Sequence, residues 1–417
     1  MKASVKNYWK TSYHDWNQIF KEELKTVLTD SGVLIFFLLV PLAYPLLYTF
    51  IYTNETVNEV PIAVVDDSHS SMSREYLRKV DATSEVKIIS YCSTLEEAQQ
   101  LVRNRDAYGV VYIPKDFSKA IAQGKQTSVR IYSDMGGLLY YKALLTSNTN
   151  VSLEMNAKIK IARAGNTTVE QDKVTVHPVA YEEISIYNPQ NGFASFLIPA
   201  VLVLIIQQTL ILGIGIAAGT AREHNRFREL TPVSRQQTGL MRIVLGKSSA
   251  YLLVYMPISV YVLGVVPQLF SLNQIGNVGT LALFVVPYLL ACIFFAMTLS
   301  GIVKRRETCI LLFVFSSVPM LFISGVSWPG SALPDFWHYL SYLVPSTFGI
   351  NGFLKINNMS AQLIDVRPEW AMLWGQALIY FCITVLIYRQ SIIDSRKRAF
   401  KKYQREKDLI QNRTENE

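Results

Sequence analysis

The chain has 417 residues, half of them hydrophobic, with a formal net charge of +8 and a mean hydropathy of +0.21. Its apolar residues are concentrated in one run near the N-terminus and five runs after residue 190, with a polar stretch between the two groups. Most of the positive charge falls in short loops beside the apolar runs, which is the pattern that orients membrane helices. We therefore interpret the charge as a topology signal and exclude nucleic-acid binding.

Residues 1–30 are predicted to form a cytoplasmic N-terminal segment that contains an amphipathic helix. Its apolar residues recur at steps of three and four: Trp16, Ile19, Phe20, Leu24, Val27 and Leu28. Lys and Glu residues fill the other side, which is typical of a helix that lies in the membrane interface. A helix continuous with the first membrane span is the alternative.

Six apolar runs are long enough to cross the bilayer core, which takes about 20 helical residues. They are residues 34–52, 193–220, 248–269, 281–303, 309–328 and 370–388. The first transmembrane helix is assigned to residues 31–53, and no small-residue cleavage site follows it, so we expect it to be retained. The other five form a transmembrane block over residues 191–388.

The polar stretch, residues 54–190, indicates a small α/β domain between the first two spans. Strands are predicted over residues 60–65, 86–91, 108–113, 128–133 and 174–177, and helices over 71–80, 95–104, 116–123 and 137–164. Asp66 and Asp67 follow the first strand, and we assign them to a turn or helix cap rather than to a catalytic pair. Cys92 is the only cysteine in this stretch, so no disulfide forms within it.

The basic residues of the loops set the expected orientation, since cytoplasmic loops are enriched in Lys and Arg. The N-terminal segment, the loop after the second span, residues 304–306 and the basic tail over residues 389–417 all carry such clusters. We therefore place both termini in the cytoplasm and the α/β domain outside. The predicted fold is an α-helical membrane protein with six transmembrane helices and an extracytoplasmic α/β domain inserted between helices 1 and 2.

Two loops of the transmembrane block have a distinctive composition. The first is a cytoplasmic coupling segment, residues 221–242, in which Phe227 and Leu230 share one helical face. Its candidate docking residues for a cytoplasmic partner are Arg226, Phe227, Arg228, Glu229, Leu230, Thr231 and Pro232. Arginines that only set topology are the alternative. The second loop, residues 328–369, is rich in aromatic residues, which favours short re-entrant or interfacial helices at the outer leaflet over an ordinary loop.

The second span combines small residues with two amides. Its small residues form two pairs spaced by four positions: Gly213 with Ala217, and Gly215 with Gly219. Such pairs allow two helices to approach closely. Exposing the amide side chains of Gln207 and Gln208 to lipid would cost free energy. At least one of them is therefore expected to face a helix interface or a substrate pathway. An interhelical hydrogen bond and a substrate contact both remain open.

The sequence carries no convincing enzymatic or metal-binding pattern. Its five histidines are scattered and form no metal-ligand spacing with Cys or with one another. Gly246-Lys247-Ser248 is similar to the end of a phosphate-binding loop, but Met241 occupies the position where that loop needs glycine. We therefore expect no cofactor and no ATPase site on this chain, and any ATP-driven work needs another subunit.

These features resemble the membrane subunits of the ATP-binding-cassette (ABC) type 2 permease family, in particular its subgroup with a large extracytoplasmic domain. The resemblance covers nearly the whole chain through segments in a fixed order. They are Lys21-Glu22-Glu23-Leu24, residues 60–66 with 73–75, residues 108–117, Ser133-Asp134, residues 230–235 with 245–247, and residues 324–329 with 344–347. Where the family usually has an acidic run, this chain has the basic Arg226-Phe227-Arg228-Glu229.

The resemblance implies the permease subunit of an ABC exporter that moves an amphipathic or apolar substrate outward, such as a drug, lipid or lipid-linked glycan. It implies cytoplasmic ABC ATPase subunits that hold ATP and Mg²⁺, and a second permease subunit, either identical or a related paralogue. A periplasmic adaptor and an outer-membrane channel accompany some members, and the expected location is the bacterial inner membrane. The alternative function is a membrane-anchored receptor or assembly factor whose extracytoplasmic domain binds a ligand or partner without transport.

Overall fold

The computed structural model describes residues 2–53, 56–165, 168–179, 184, 186–188, 192–236, 238–328 and 330–414. The chain divides into two compact units. The helical unit comprises Met1–Thr53 and Ile186–Glu417, and the sheet unit comprises Asn54–Ser185. The predicted domain boundary at residues 190 and 191 lies outside the described residues.

The chain begins with two helices that are separated by one residue. Helix α1 spans Lys2–Thr29 and helix α2 spans Ser31–Ile51. Asp30 lies between them and caps α2, because its Oδ1 accepts hydrogen bonds from the amides of Gly32 at 3.0 Å and Val33 at 3.3 Å. The amphipathic segment and the first apolar run are therefore two helices rather than one.

The described part of the sheet unit contains a four-stranded sheet with helices packed on its faces. The elements are β1 Val60–Asp66, α3 Ser71–Asp81, β2 Val86–Tyr91, α4 Leu95–Arg103, β3 Gly109–Ile113, α5 Phe117–Ala122, β4 Arg130–Ser133, α6 Leu138–Ala164 and α7 Val169–Val176. The strand order is β2-β1-β3-β4; β1 is parallel to β2 and β3, and β4 is antiparallel to β3.

The strand predicted over residues 174–177 is wrong, since these residues end helix α7. The alternation of Val174 and Val176 with polar residues suggested a strand, but the preceding residues start a helix. Thr168 Oγ1 accepts from the amide of Gln171 at 3.3 Å, and Gln171 Oε1 accepts from the amide of Thr168 at 3.0 Å. This reciprocal capping box fixes the helix start and overrides the short alternating pattern.

Alternate residues of the central strand β1 build two small cores. Val60, Ile62 and Val64 are buried beneath α3 and α6, while Ala63 and Val65 are buried on the opposite face beside α4. The hydroxyl of Tyr76 on α3 donates to Asn148 Oδ1 on α6 at 3.1 Å, and burial raises the pKa of Tyr76. The sheet unit thus has its own hydrophobic interior.

Asp66, at the end of β1, has the turn role predicted for it. Its Oδ1 accepts from the amides of Ser68 at 3.0 Å and His69 at 3.2 Å, and its Oδ2 accepts from Ser73 Oγ at 2.7 Å. Asp67 instead accepts a hydrogen bond from the hydroxyl of Tyr112 at 2.9 Å. The two carboxylates therefore have separate partners and do not act as a pair.

The rest of the helical unit is built from eight further helices in its described residues. They are α8 Phe193–Glu223, α9 Thr231–Ser234, α10 Gly239–Leu269, α11 Val278–Leu299, α12 Arg306–Ile323, α13 Asp335–Ser341, α14 Pro345–Met359 and α15 Arg367–Thr414. Among the described residues, six helices are long and apolar enough to cross a membrane: α2, α8, α10, α11, α12 and α15. The chain is thus a largely helical protein of the membrane type.

Helix α8 lies at the centre of the helical unit, since every residue from 198 to 220 is buried. Its small residues permit close approach at two places. At Gly213 the ring of Phe37 from α2 occupies the space of a side chain, and at Gly219 a Cβ would lie 2.9 Å from the amide nitrogen of Arg306. Glycine is needed at both positions because a larger residue would push α2 or α12 away.

Two of the long helices contain a π-helical turn that ends two residues before a proline. Ile35–Leu39 precedes Pro41 in α2, and Tyr261–Val265 precedes Pro267 in α10. Proline has no amide hydrogen, and its ring collides with the carbonyl four residues back. A wider turn accommodates both effects without ending the helix. The two helices also bind each other nearby, since the Tyr261 hydroxyl donates to the Leu42 carbonyl at 2.9 Å.

Replacing Gly219 by alanine should destabilise the helical unit by about 1–3 kcal/mol, the usual cost of overpacking a tight contact. The matched control is Gly264→Ala, because a Cβ at Gly264 would meet nothing within 4 Å. The measurement is the thermal unfolding midpoint of the detergent-purified protein. Equal midpoints for the two variants would contradict the close packing of α8 against α12.

Candidate functional site

The 221–242 segment runs from the last residues of α8 through a loop to the first turn of α10, and the loop folds as a series of short turns. Helix α8 ends at Glu223, and Asn225 then adopts a left-handed conformation with φ of 55°. A 3₁₀ turn follows at Arg226–Arg228, and the four-residue α9 has Pro232 in its first turn. Thr238, also left-handed with φ of 60°, precedes α10. The left-handed residues turn the chain sharply on both sides of α9.

Residues at the start of the 221–242 segment fasten it to α15. Ser395 Oγ donates to Asn225 Oδ1 at 2.5 Å, and Asn225 Nδ2 donates to the Ser395 carbonyl at 3.3 Å. Phe227 is buried with 3% of its surface exposed, and its ring lies edge-on to Tyr388 at 5.6 Å between centroids. The guanidinium of Arg222 lies 5.3 Å from the centre of the same ring. The segment is therefore held by apolar, polar and cation–π contacts together.

The predicted docking residues do not share one surface. Phe227 points into the helical unit, where it anchors the segment, although it was expected to share an outward face with Leu230. Leu230 and Thr231 are half-buried, and Thr231 Oγ1 donates to the Arg228 carbonyl at 2.6 Å. The remaining residues of the set are exposed: Arg226, Arg228, Glu229 and Pro232. Contact with a partner is thus available to charged side chains and Pro232, with Phe227 fixing their position.

Arg222 connects three elements at the end of α8. One guanidinium nitrogen donates to the carbonyls of Ser300 and of Val303, the latter at 2.6 Å, and the other donates to Ser391 Oγ at 3.2 Å. Ser300 and Val303 follow α11, and Ser391 lies on α15. The sequence analysis placed Arg222 in the coupling segment and counted it among the basic residues that set topology. Its hydrogen bonds make it a structural link between α8, α11 and α15.

Two buried ion pairs, hereafter the α1–α10 clamp, join the N-terminal helix α1 to the start of α10, one of them at the last residue of the 221–242 segment. Asp15 Oδ2 lies 3.0 Å from a guanidinium nitrogen of Arg242, and both side chains are about nine-tenths buried. Glu23 binds Lys247 and also accepts a hydrogen bond from the Tyr251 hydroxyl. Between the two pairs, Ile19 packs against Gly246. Burying charges this way is tolerable only because each has an oppositely charged partner.

The α1–α10 clamp was missed by the sequence analysis, which assigned Glu23 to the polar side of α1 and gave Asp15 no role. The signal was present in the spacing. Asp15, Ile19, Glu23 and Val27 follow each other at four-residue steps, so they lie on one face of a helix, and all four are buried. Hydrophobic periodicity alone omits such a face because half of its members are charged.

A third connection lies where α2, α8 and α12 meet. Arg306, at the start of α12, is 3.3 Å from Asp30 Oδ1, and its amide donates to Glu223 Oε1 at 3.0 Å. The ends of these helices therefore lie beside the 221–242 segment. One end of the helical unit is thus joined by hydrogen bonds and ion pairs across α1, α2, α8, α10, α12 and α15.

A groove of about 1630 Å³ separates the 221–242 segment from the C-terminal part of α15. His224, Arg228 and Pro232 line one wall. The facing wall comes from α15 and carries Asp394 and four basic residues: Arg396, Lys397, Arg398 and Lys401. No group of three or more metal-ligating side chains occurs within the ranges that the structure describes.

The two glutamines of α8 turn toward other helices. Gln207 is fully buried; its Oε1 accepts from the amide of Ser346 on α14 at 2.7 Å, and its Nε2 lies 3.4 Å from Met320 Sδ on α12. Gln208 Nε2 lies 3.1 Å from the same sulfur. Gln207 therefore makes the interhelical hydrogen bond that was one of its two expected roles. Gln208 Oε1 is buried with no hydrogen-bond partner among the described residues.

The match to known proteins extends over both units. The model of the family described as ABC-2 family transporter protein matches residues 31–386. The chain belongs to the ABC-2 family. Of the elements described above, the matched region contains the 221–242 segment and all six apolar helices at least in part, whereas α1 precedes it. The α1–α10 clamp thus joins a helix outside the matched ABC-2 region to one inside it.

Two relatives agree with this assignment. ABC transporter G family member 20 of Dictyostelium discoideum is 21% identical over 389 residues, which are 92% of this chain and 52% of that protein. The linearmycin resistance permease protein LnrN of Bacillus subtilis (strain 168) is 21% identical over 340 residues, which are 78% of this chain and 86% of the relative. The chain thus spans about half the length of the Dictyostelium protein. This ABC-2 protein is a multi-pass membrane permease of the ABC transporter class.

Neutralising Glu23 should destabilise this ABC-2 protein strongly. Glu23→Gln leaves the buried Lys247 without its counter-charge, and breaking one side of a buried pair costs about 3–5 kcal/mol. The control is Glu22→Gln, the same change at the adjacent exposed position, which should alter stability by less than about 0.5 kcal/mol. Thermal unfolding in detergent measures both. Similar midpoints for the two variants would show that the α1–α10 clamp does not stabilise the fold.

Proposed function

We propose that this chain is the permease subunit of an ATP-driven ABC exporter. Two such subunits, identical or related, form the pathway, and separate cytoplasmic ABC ATPases hold ATP and Mg²⁺ and drive it. The ABC-2 family match, the six apolar helices and the resistance permease among the relatives support this assignment. The chain itself acts as a transport subunit rather than as an enzyme.

The proposed orientation has both termini in the cytoplasm of a bacterium and the chain embedded in the inner membrane. Residues 1–30 and 389–417 then lie inside, the domain over residues 54–190 lies outside, and helices span the bilayer over residues 31–53 and 191–388. The concentration of Lys and Arg beside the 221–242 segment supports it, because short cytoplasmic loops carry this excess. In this proposal the sheet unit lies on the outer side and contacts a periplasmic adaptor that leads to an outer-membrane channel.

The observation that carries the proposal is an exposed basic segment fixed firmly to the helices around it. Arg226 and Arg228 are exposed, while Asn225 and Phe227 between and beside them are bound to α15. A segment held in this way cannot move by itself. When an ATPase pushes on it, α8 and α15 must follow, and the α1–α10 clamp carries α1 with them.

The proposed substrate is an amphipathic or apolar molecule that leaves toward the outer face. The apolar interior of the helical unit supports this class, since residues 198–220 of α8 contain no charged side chain. Of the two glutamines proposed for the pathway, Gln207 already uses its amide in contacts with Ser346 and Met320. Gln208 has a buried oxygen without a hydrogen-bond partner among the described residues. Gln208 is therefore the better candidate for substrate contact.

Charge reversal at the docking surface should separate the permease from its ATPase. We expect Arg226→Glu combined with Arg228→Glu to reduce ATPase co-purification from the native host at least tenfold, because both side chains are exposed and face outward. The control is Arg103→Glu, an equivalent change on the exposed part of α4 in the sheet unit. The measurement is the ATPase-to-permease ratio after affinity purification. Full retention of the ATPase by the double variant would overturn the docking site.

Cysteine labelling tests the orientation directly. In a background whose native cysteines are replaced by alanine or serine, an impermeant maleimide added outside the inner membrane should label Tyr91→Cys on β2. It should label Arg228→Cys only after permeabilisation. Both positions are exposed, so reactivity reports the side of the membrane rather than burial. The reverse pattern would place the sheet unit in the cytosol and exclude the proposed export direction.

A further inference from the structure

A second cavity lies at the other end of α12 from the 221–242 segment. It has a volume of about 250 Å³ and is enclosed by the end of α12, helices α13 and α14 and the start of α15. Its polar lining comes from side chains distant in sequence: Ser324, His338, Tyr342, Thr347, Asn351 and Glu369. The segment over residues 328–369, for which short re-entrant or interfacial helices were predicted, contains helices α13 and α14 and supplies most of the cavity lining.

Two buried oxygens of this cavity have no hydrogen-bond partner among the described residues. They are Glu369 Oε2 and Thr347 Oγ1, and the two residues are 9% and 6% exposed. Leaving a buried polar group unsatisfied costs about 1–3 kcal/mol, and more when it is charged. Such a cost at two residues that line one cavity is expected where a ligand supplies the missing hydrogen bonds.

The charge of Glu369 is already balanced. Its other oxygen, Oε1, accepts from Lys355 Nζ at 2.6 Å. Because that ion pair offsets the carboxylate charge, the free oxygen favours a neutral hydrogen-bond donor over a second cation. The same carboxylate disfavours a phosphate or a carboxylate ligand by like-charge repulsion. A hydroxyl group meets both conditions.

The other walls offer further hydroxyl partners and apolar faces. His338 Nε2 and the Tyr342 hydroxyl lie 2.9 Å apart, and the rings of Tyr342 and Phe348 lie 5.5 Å apart between centroids. Aromatic faces pack against the apolar C–H side of a saturated ligand ring. Histidine, tyrosine and asparagine side chains exchange hydrogen bonds with the hydroxyl groups of such a ring. The volume falls below the about 300–1,000 Å³ of drug-sized sites, so a head group fits but not a whole amphiphile.

We propose that this cavity binds the hydroxyl-bearing head group of an amphiphile, a sugar or polyol group, with Glu369 and Thr347 as its hydrogen-bond partners. As a subsite for exported cargo, it rests on the proposed function. The binding itself needs no ATPase and can be measured on the permease alone.

The test uses the full-length chain in nanodiscs of phosphatidylcholine and an alkyl glucoside whose tail carries bromine, a quencher of tryptophan fluorescence. Trp337 and Trp370 adjoin the cavity residues His338 and Glu369. Quenching should saturate with the glucoside and remain linear with tail-matched probes that carry a trimethylammonium or a phosphate head. Linear quenching by the glucoside, or tighter binding of either charged probe, would overturn the proposal.

The site variants are Thr347→Val, which removes the hydroxyl while keeping the shape, and Glu369→Gln. Each should weaken glucoside binding about fivefold, the usual effect of one lost hydrogen bond. The matched control, Thr308→Val, changes an exposed threonine at the opposite end of α12 and should leave affinity unchanged. If the Glu369→Gln protein does not fold, the affinity of the Thr347→Val protein alone decides the test. Wild-type affinity in a folded Thr347→Val protein would exclude the assigned hydrogen bond.

Failure of this site and failure of the proposed function give different results. Saturable glucoside binding by a permease that co-purifies with no ATPase would overturn the exporter and leave the head-group site standing. An ATPase-coupled complex that exports an amphiphile but shows no saturable glucoside quenching would overturn the head-group site alone.

Discussion

The buried charges between α1 and α10 are the constraint on which the cytoplasmic-side architecture proposed here depends. Asp15 and Glu23 can be buried only because Arg242 and Lys247 lie at matching positions on the neighbouring helix and form ion pairs with them. A buried ion pair adds little net stability relative to an apolar contact. A shift of one helix along the other is nevertheless costly, since the displaced partner leaves a charge unpaired in the interior. The α1–α10 clamp therefore specifies how the two helices are aligned more than how tightly they are held.

That alignment explains how a short segment without a hydrophobic core of its own keeps a defined shape. The 221–242 segment is bound at one end through Asn225 and Phe227 to α15 and at the other through Arg242 to α1. Its exposed residues need no packing among themselves, because the fixed ends determine their positions. Exposed charge on a rigid support suits recognition by a partner protein.

Much of the fold followed from periodicity, and the failures have identifiable causes. Strands β1 to β4 lie within two residues of the predicted runs, and the apolar helices overlap the predicted spans. The strand over residues 174–177 failed because a capping box outweighed a short alternating pattern. At the site, the basic character of the 221–242 segment could be predicted from the sequence. The inward direction of the Phe227 side chain could not, because it depends on a contact with Tyr388, which is far along the chain. Glu369 and Thr347, too, come to line one cavity only through folding.

Asp30 has a consequence for how the first apolar helix can move. One oxygen of this residue both caps α2 and lies against Arg306 of α12. Sliding α2 lengthwise would carry Asp30 and its cap along and pull the carboxylate away from Arg306, whereas tilting α2 about this point would keep both contacts. The Asp30 carboxylate thus permits α2 to tilt about its N-terminus and opposes translation of α2 along its own axis.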